Sequence, residues 1–154
     1  MKKVIILILT LNFLLAFDLT FTKAFNYFNK GLKTYDINPQ KAQDYFKKAY
    51  EYIQKLKNKD TSQVYYMLGR MYCNGLGVPK DLDKAEEYFL KALKLGNQRV
   101  NCCLARLYIK KGELSKARDF LKKAMSNDKI ANYCSDIDAS SLKLKGGINE
   151  TFIR

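Results

Sequence analysis

A chain of 154 residues has room for one domain and one continuous core, and 28 lysines and arginines against 15 acids leave it at +13. It contains no histidine, which excludes Ser-His-Asp and Cys-His catalysis, histidine-ligated zinc and the His-Glu-x-x-His motif together. The positive balance predicts attraction to anionic surfaces at low salt, against the plainer alternative of a solvated lysine-rich helical surface.

The first element reads as a leader. Lys2 and Lys3 precede an unbroken apolar run from Val4 to Leu9, and Thr10 and Asn12 are the only polar residues before Ala16. A basic start, about a dozen apolar residues and Leu14-Leu-Ala16 form the pattern of a secretory signal peptide covering residues 1–16, cleaved near Ala16. A membrane anchor is the alternative. It fits less well, because a span needs roughly 20 apolar residues and Asp18 closes the run early. No cysteine sits at the cut, which argues against a lipoprotein. The mature chain, at +11 after loss of two lysines, is expected to be secreted or periplasmic with no stable membrane span. Nucleic acid is then an unlikely partner, and an acidic protein, anionic lipid or envelope polymer a better one. Four cysteines, Cys73, Cys102, Cys103 and Cys134, lie in the mature part. In an exported chain they favour two disulfides over buried thiols.

Next comes a repeated phrase. Lys41-Ala42-Gln-Asp-Tyr-Phe-Lys-Lys-Ala49, Lys84-Ala85-Glu-Glu-Tyr-Phe-Leu-Lys-Ala92 and Lys116-Ala117-Arg-Asp-Phe-Leu-Lys-Lys-Ala124 each align two alanines and an aromatic or leucine on one helical face. A second amphipathic helix precedes each copy, marked by Ala24-x-x-Tyr27, Gly69-x-x-Tyr72 and Ala105-x-x-Tyr108. The small residue lets antiparallel helices approach, and the tyrosine fills the space where they diverge. Three helix pairs follow, at about 19–55, 62–95 and 98–126, turning at Asn38-Pro39, at Gly75-Leu-Gly77-Val-Pro79 and at Lys111-Gly112. Leu95-Gly96-Asn97 reads as a helix C-terminal cap. Residues 128–143 suit a fourth, capping helix, and Lys145-Gly-Gly147 releases a tail, so a repeat domain of 17–134 is followed by 135–154 as the end of the cap and the tail. One helix pair cannot bury its apolar face alone, so the fold expected is an all-α, right-handed α-solenoid of about three helix-turn-helix repeats plus the cap.

The middle copy closely resembles a known repeat. Leu68-Gly69-Arg-Met-Tyr72, Asn74-Gly-Leu-Gly-Val-Pro-Lys-Asp-Leu-Asp-Lys-Ala85 and Tyr88-Phe-Leu-Lys-Ala92 are similar, in order, to the Sel-one-like repeat, a longer relative of the tetratricopeptide repeat. The third copy has the shorter tetratricopeptide connection, and the first has Lys30-Gly31 but no second glycine. The resemblance implies an adaptor that holds a protein or envelope component on the concave side, lined by the first helix of each pair. Its exposed face is then expected to include Phe25, Phe28, Tyr66, Arg70, Asn74, Arg99, Arg106 and Lys110. Aromatic rings beside arginines suit a peptide with acidic groups. An exported, cysteine-rich branch of the family joins the end of one repeat to the start of the next by a disulfide. Here Leu93 and Asn101 stand where the paired cysteines would be, so any bridges are arranged differently.

That branch also implies the alternative function, a β-lactam-binding protein or weak β-lactamase. Ser126-Asn-Asp-Lys129 and Ser140-Ser-Leu-Lys143 match its Ser-x-x-Lys motif. With 23 lysines present, about one such match arises by chance, and neither Ser-Asp-Asn nor Lys-Thr-Gly accompanies them. Gly75-Leu-Gly77 lacks the Gly-Lys-Ser/Thr ending of a phosphate loop. Asp81-Leu-Asp83 and Asp136-Ile-Asp138 are weak cation candidates, the first better placed to charge a helix N-terminus. No catalytic residue, metal or cofactor is therefore assigned. Cys102 and Cys103 are adjacent and point about 100° apart on a helix. One is expected to reach back toward Cys73 and the other forward toward Cys134, stapling the end of a small core.

Overall fold

Local signals open and close the helices in the computed structural model, which describes residues 2–56 and 61–137. Helix α1 spans Lys2–Thr34. It starts well ahead of residue 19, because neither proline nor glycine interrupts the chain before Gly31. Helix α2, Pro39–Gln54, begins where Asn38 Oδ1 accepts the Lys41 N–H at 3.0 Å, with proline at the first helical position. Helix α3 is Ser62–Asn74, capped by Thr61, and α4 is Leu82–Lys94, capped by Asp81. Helices α5, Val100–Lys111, and α6, Leu114–Met125, follow. The chain then makes a four-residue helix α7, Asp128–Ala131, and a 3-10 turn at Asn132–Cys134. The all-α expectation holds, with no strand among the described residues. The capping element is corrected: a short helix and a 3-10 turn replace a regular helix over 128–137, and the remainder of that segment and the tail lie outside the described residues.

The chain divides into two compact units, one up to Leu95 and one from Gly96. In the first, α1 packs on α2 and α3 on α4. Ala24, Phe28 and Gly31 of α1 meet the face carrying Ala42, Phe46, Ala49 and Ile53 of α2, all of them buried. The phenyl rings of Phe28 and Phe46 lie 5.4 Å apart. Small residues set both close approaches. A Cβ on Gly31 would stand 2.5 Å from Phe46 Cε1, and one on Gly69 would stand 2.4 Å from Phe89 Cδ1. Both distances are below van der Waals contact, so any side chain there must push an aromatic ring out of a packed core.

The connection from α3 to α4 does more than turn the chain. Gln43 of α2 grips it with both ends of its amide: Nε2 donates to the Gly75 carbonyl at 3.2 Å, and Oε1 accepts from the Gly77 N–H at 2.8 Å. Leu76 between them is buried. Gly77 has φ +73°, and a Cβ there would lie 2.5 Å from the Phe46 carbonyl carbon. Only glycine meets both demands. The loop is thereby the joint that sets α3–α4 on α2.

In the second unit, α5 packs on α6 across a connection of two residues, Gly112 and Glu113. Its core is Val100, Cys102, Leu104, Ala105, Leu107, Tyr108, Ala117, Leu121 and Ala124, with Ile130 and Cys134 from the capping segment. A disulfide joins Cys102 to Cys134, Cα to Cα 5.3 Å, across a sequence separation of 32. Of the adjacent pair, Cys102 is the one that reaches forward. Cys73 is buried in α3 and Cys103 is half-buried in α5.

Candidate binding surface

Leu68-Gly69-Arg70-Met71-Tyr72 and Leu104-Ala105-Arg106-Leu107-Tyr108 place Arg70 and Arg106 at one position of the repeat, on the first helix of a pair. Their surroundings differ. The Arg70 guanidinium carbon lies 4.8 Å from the ring centre of Phe28 and 5.7 Å from that of Tyr66. One turn on, Asn74 Nδ2 donates to the Arg70 carbonyl at 3.1 Å. Cation–π contact of this kind holds a long side chain in place without using a hydrogen-bond acceptor. Among the described residues no carboxylate pairs with Arg70.

Arg106 is engaged by the chain itself. Its Nε donates to Asp136 Oδ2 at 2.9 Å, and Nη2 donates to Asp136 Oδ1 and to the Tyr133 carbonyl. The Arg106 bonds to the carboxylate hold Asp136 below the usual carboxylate range, with partial burial opposing them. Arg99 faces the ring of Tyr133 at 4.8 Å.

The residues expected on one binding face therefore divide. Phe28, Tyr66, Arg70 and Asn74 gather on the first unit. Arg99 and Arg106 lie on the second, beside Tyr133 and Asp136. Lys110 is exposed on α5, and Phe25 is 48% exposed on α1. Phe28 is a correction: at 1% exposure it is a core residue that supports Arg70 rather than a surface a partner can touch. Its place on α1, one turn after Ala24, puts it on the buried stripe.

A second feature was written in the repeated phrase but not read from it. The first-helix tyrosine of each pair meets the phrase's aromatic: Tyr27 with Tyr45 at 6.4 Å, Tyr72 with Tyr88 at 5.7 Å, Tyr108 with Phe120 at 5.5 Å. The phrase's lysines lie over these rings, Lys48 on Tyr27, Lys84 on Tyr72, Lys91 on Tyr88, Lys116 on Tyr108 and Lys123 on Phe120, all between 4.9 and 5.6 Å. The signal was the spacing Lys-Ala-x-x-aromatic-x-x-Lys. Part of the lysine charge is thus placed over aromatic rings. Tyr50 and Tyr72 hydroxyls hydrogen-bond at 2.9 Å between α2 and α3. Burial first, and then this bond, push the Tyr72 phenol well above its usual range.

The remaining candidates have plain surroundings. Ser126 Oγ donates to the Lys123 carbonyl at 2.9 Å, beside a shallow depression shared with Asp119 and Lys122. Ser140 and Asp138 lie outside the described residues. Asp81 accepts the Lys84 N–H at 2.9 Å as the cap of α4, and that bond is the main reason its carboxyl sits below the usual range. Among the described residues no group of three or more acidic or cysteine side chains is gathered to hold a metal. No helix among them is long and apolar enough to cross a membrane.

Helix-turn-helix pairs joined by small-residue contacts, with basic and aromatic side chains on their first helices, define a repeat scaffold. The Sel1 repeat model matches residues 26–51 and 62–97, and a tetratricopeptide repeat model matches residues 99–130. The chain belongs to the Sel1-like and tetratricopeptide-like repeat family, whose members are generally scaffolds for protein–protein interaction. Comparison with curated proteins and with solved structures finds no match.

Proposed function

We propose that the chain is an exported adaptor that binds an acidic segment of a protein, or an anionic envelope component, through the first-helix surface around Arg70. The observation that carries the reading is the state of Arg70, oriented by Phe28 and Tyr66 and paired with no carboxylate among the described residues. A planar guanidinium fixed in this way can grip a carboxylate through two parallel N–H donors. The high positive charge brings anionic partners in, and the oriented arginine selects among them. Lys2, Lys3 and the apolar run after them support export, as does the presence of a disulfide in the second unit.

Two measurements test this. N-terminal sequencing of the cellular product should begin just after Ala16, whereas a product retaining residues 1–16 overturns export. A labelled hexaglutamate peptide, titrated by fluorescence anisotropy at 0.15 M salt, should bind about tenfold more weakly to Arg70→Lys, which keeps the charge but loses the fork. Lys48→Gln on α2 should barely matter. If affinity follows net charge whichever residue is changed, the protein is a nonspecific basic binder and the reading fails.

A further inference from the structure

We propose that Arg70 recognises a helical turn ending in aspartate or glutamate, gripped at the carboxylate and at the backbone carbonyl three residues earlier. This rests on the reading of Arg70 as a binding residue and gives its ligand a shape. The template is the chain's own segment on the equivalent arginine. Arg106 takes both Asp136 carboxylate oxygens and, through the same Nη2, the carbonyl of Tyr133. Tyr133 and Asp136 are three apart, and the backbone between them runs from a 3-10 helix into a turn. That curvature brings the carbonyl and the carboxylate to one guanidinium edge. An extended acidic strand sends its side chains alternately to opposite faces and spreads them over about 3.3 Å per residue, so it cannot present the same pair of acceptors.

Arg70 stands at the same repeat position, since Leu68-Gly69-Arg70-Met71-Tyr72 aligns with Leu104-Ala105-Arg106-Leu107-Tyr108. Its contacts with Phe28 and Tyr66 are to rings, which leaves N–H donors for the same set of acceptors. The second unit holds its acidic turn covalently close, because Cys134 inside that turn is bonded to Cys102 of α5. The first unit has no such tether among its described residues, so the occupant inferred for Arg70 is a turn on a partner protein. One difference is expected. Arg99, which faces the Tyr133 ring, aligns with Gln63 in the first unit, so an aromatic at the first position of the ligand contributes little there.

The probe is a labelled ten-residue peptide of sequence 128–137 with serine in place of Cys134, titrated into the full chain by anisotropy at 0.15 M salt. The expected result is one-to-one binding that Arg70→Lys weakens at least tenfold. The peptide change equivalent to Asp136→Asn should have the same effect, and the one equivalent to Tyr133→Ala less than a threefold effect. A scrambled peptide of equal charge should bind at least tenfold more weakly. If the scrambled peptide binds as well, the shape requirement is overturned. If hexaglutamate binds through Arg70 and the turn peptide does not, the inference falls while the acidic-partner reading stands. If neither peptide depends on Arg70, both fall.

Discussion

The second and third helix pairs carry the same phrase on their second helices and yet are fastened by different means. Between α3 and α4 the connection runs from Gly75 to Asp81, long enough to lie on α2 and be held by Gln43. Between α5 and α6 only Gly112 and Glu113 intervene, which suffices to turn the chain and no more. There the pair is closed by the segment that follows it, through Cys102–Cys134 and Arg106–Asp136. In this chain the second pair is fastened beyond its own interface by a docking loop, and the third by a stapled cap. The choice also sets what remains for binding, since the cap that closes the second unit takes up Arg106.

The largest effect that tests this contrast is loss of the staple. Closing a loop of this length stabilises by about 3–4 kcal/mol in the chain-entropy picture. Cys102→Ser should lower stability by that order, with new protease cleavage between residues 126 and 137 read by mass spectrometry. Cleavage that appears instead in α3 or α4 would contradict the separate fastening of the two units.

A pair of glycine changes compares the two connections directly. Gly77 and Gly112 both have positive φ, +73° and +76°, but a Cβ at Gly112 meets nothing within 4 Å. Gly112→Ala should cost about 1 kcal/mol for the left-handed backbone alone. Gly77→Ala should cost about 2–3 kcal/mol, because the methyl group also collides with the α2 backbone. Equal melting shifts for the two variants would remove the docking role from the loop.

Gln43→Ala should cost about 1–2 kcal/mol, as it leaves the Gly77 N–H and the Gly75 carbonyl without their partner. Chemical denaturation measures it, and the change should add little when made in Gly77→Ala, where the dock is already disturbed.

The smallest effect is the acid dependence of the cap. The Asp136 carboxyl is lowered in the folded chain. Its contribution is therefore complete above the ordinary unfolded value near 3.9 and disappears as pH falls through the folded value. The pair is largely exposed, which limits it to less than about 1 kcal/mol. Asp136→Asn should melt slightly below the parent at pH 7, and the two should converge at strongly acidic pH. A gap that persists there would mean Asp136 acts by something other than its charge.

Periodicity carried the helices and their phase a long way. The alanines and aromatics of the Lys-Ala phrase, the small residue before each tyrosine, Asn38-Pro39 and Asp81 all act locally, through rotation per residue and capping bonds, so they were legible without a neighbour. The buried stripe of α1 is legible too, since Phe28 stands one turn after Ala24; only the family likeness sets it on an exposed face. What tertiary structure alone decided were the meetings between segments distant in sequence: Gln43 with the Gly75–Gly77 loop, Cys102 with Cys134, Arg106 with Asp136, Arg70 with Phe28. Each depends on how far a connection can reach and which face is left beside it when the core closes. Two arginines that read identically in sequence therefore differ, Arg70 set between aromatic rings and Arg106 tied to its own chain. Helical phase is a property of each short segment, whereas the partner of a half-buried arginine is chosen by packing.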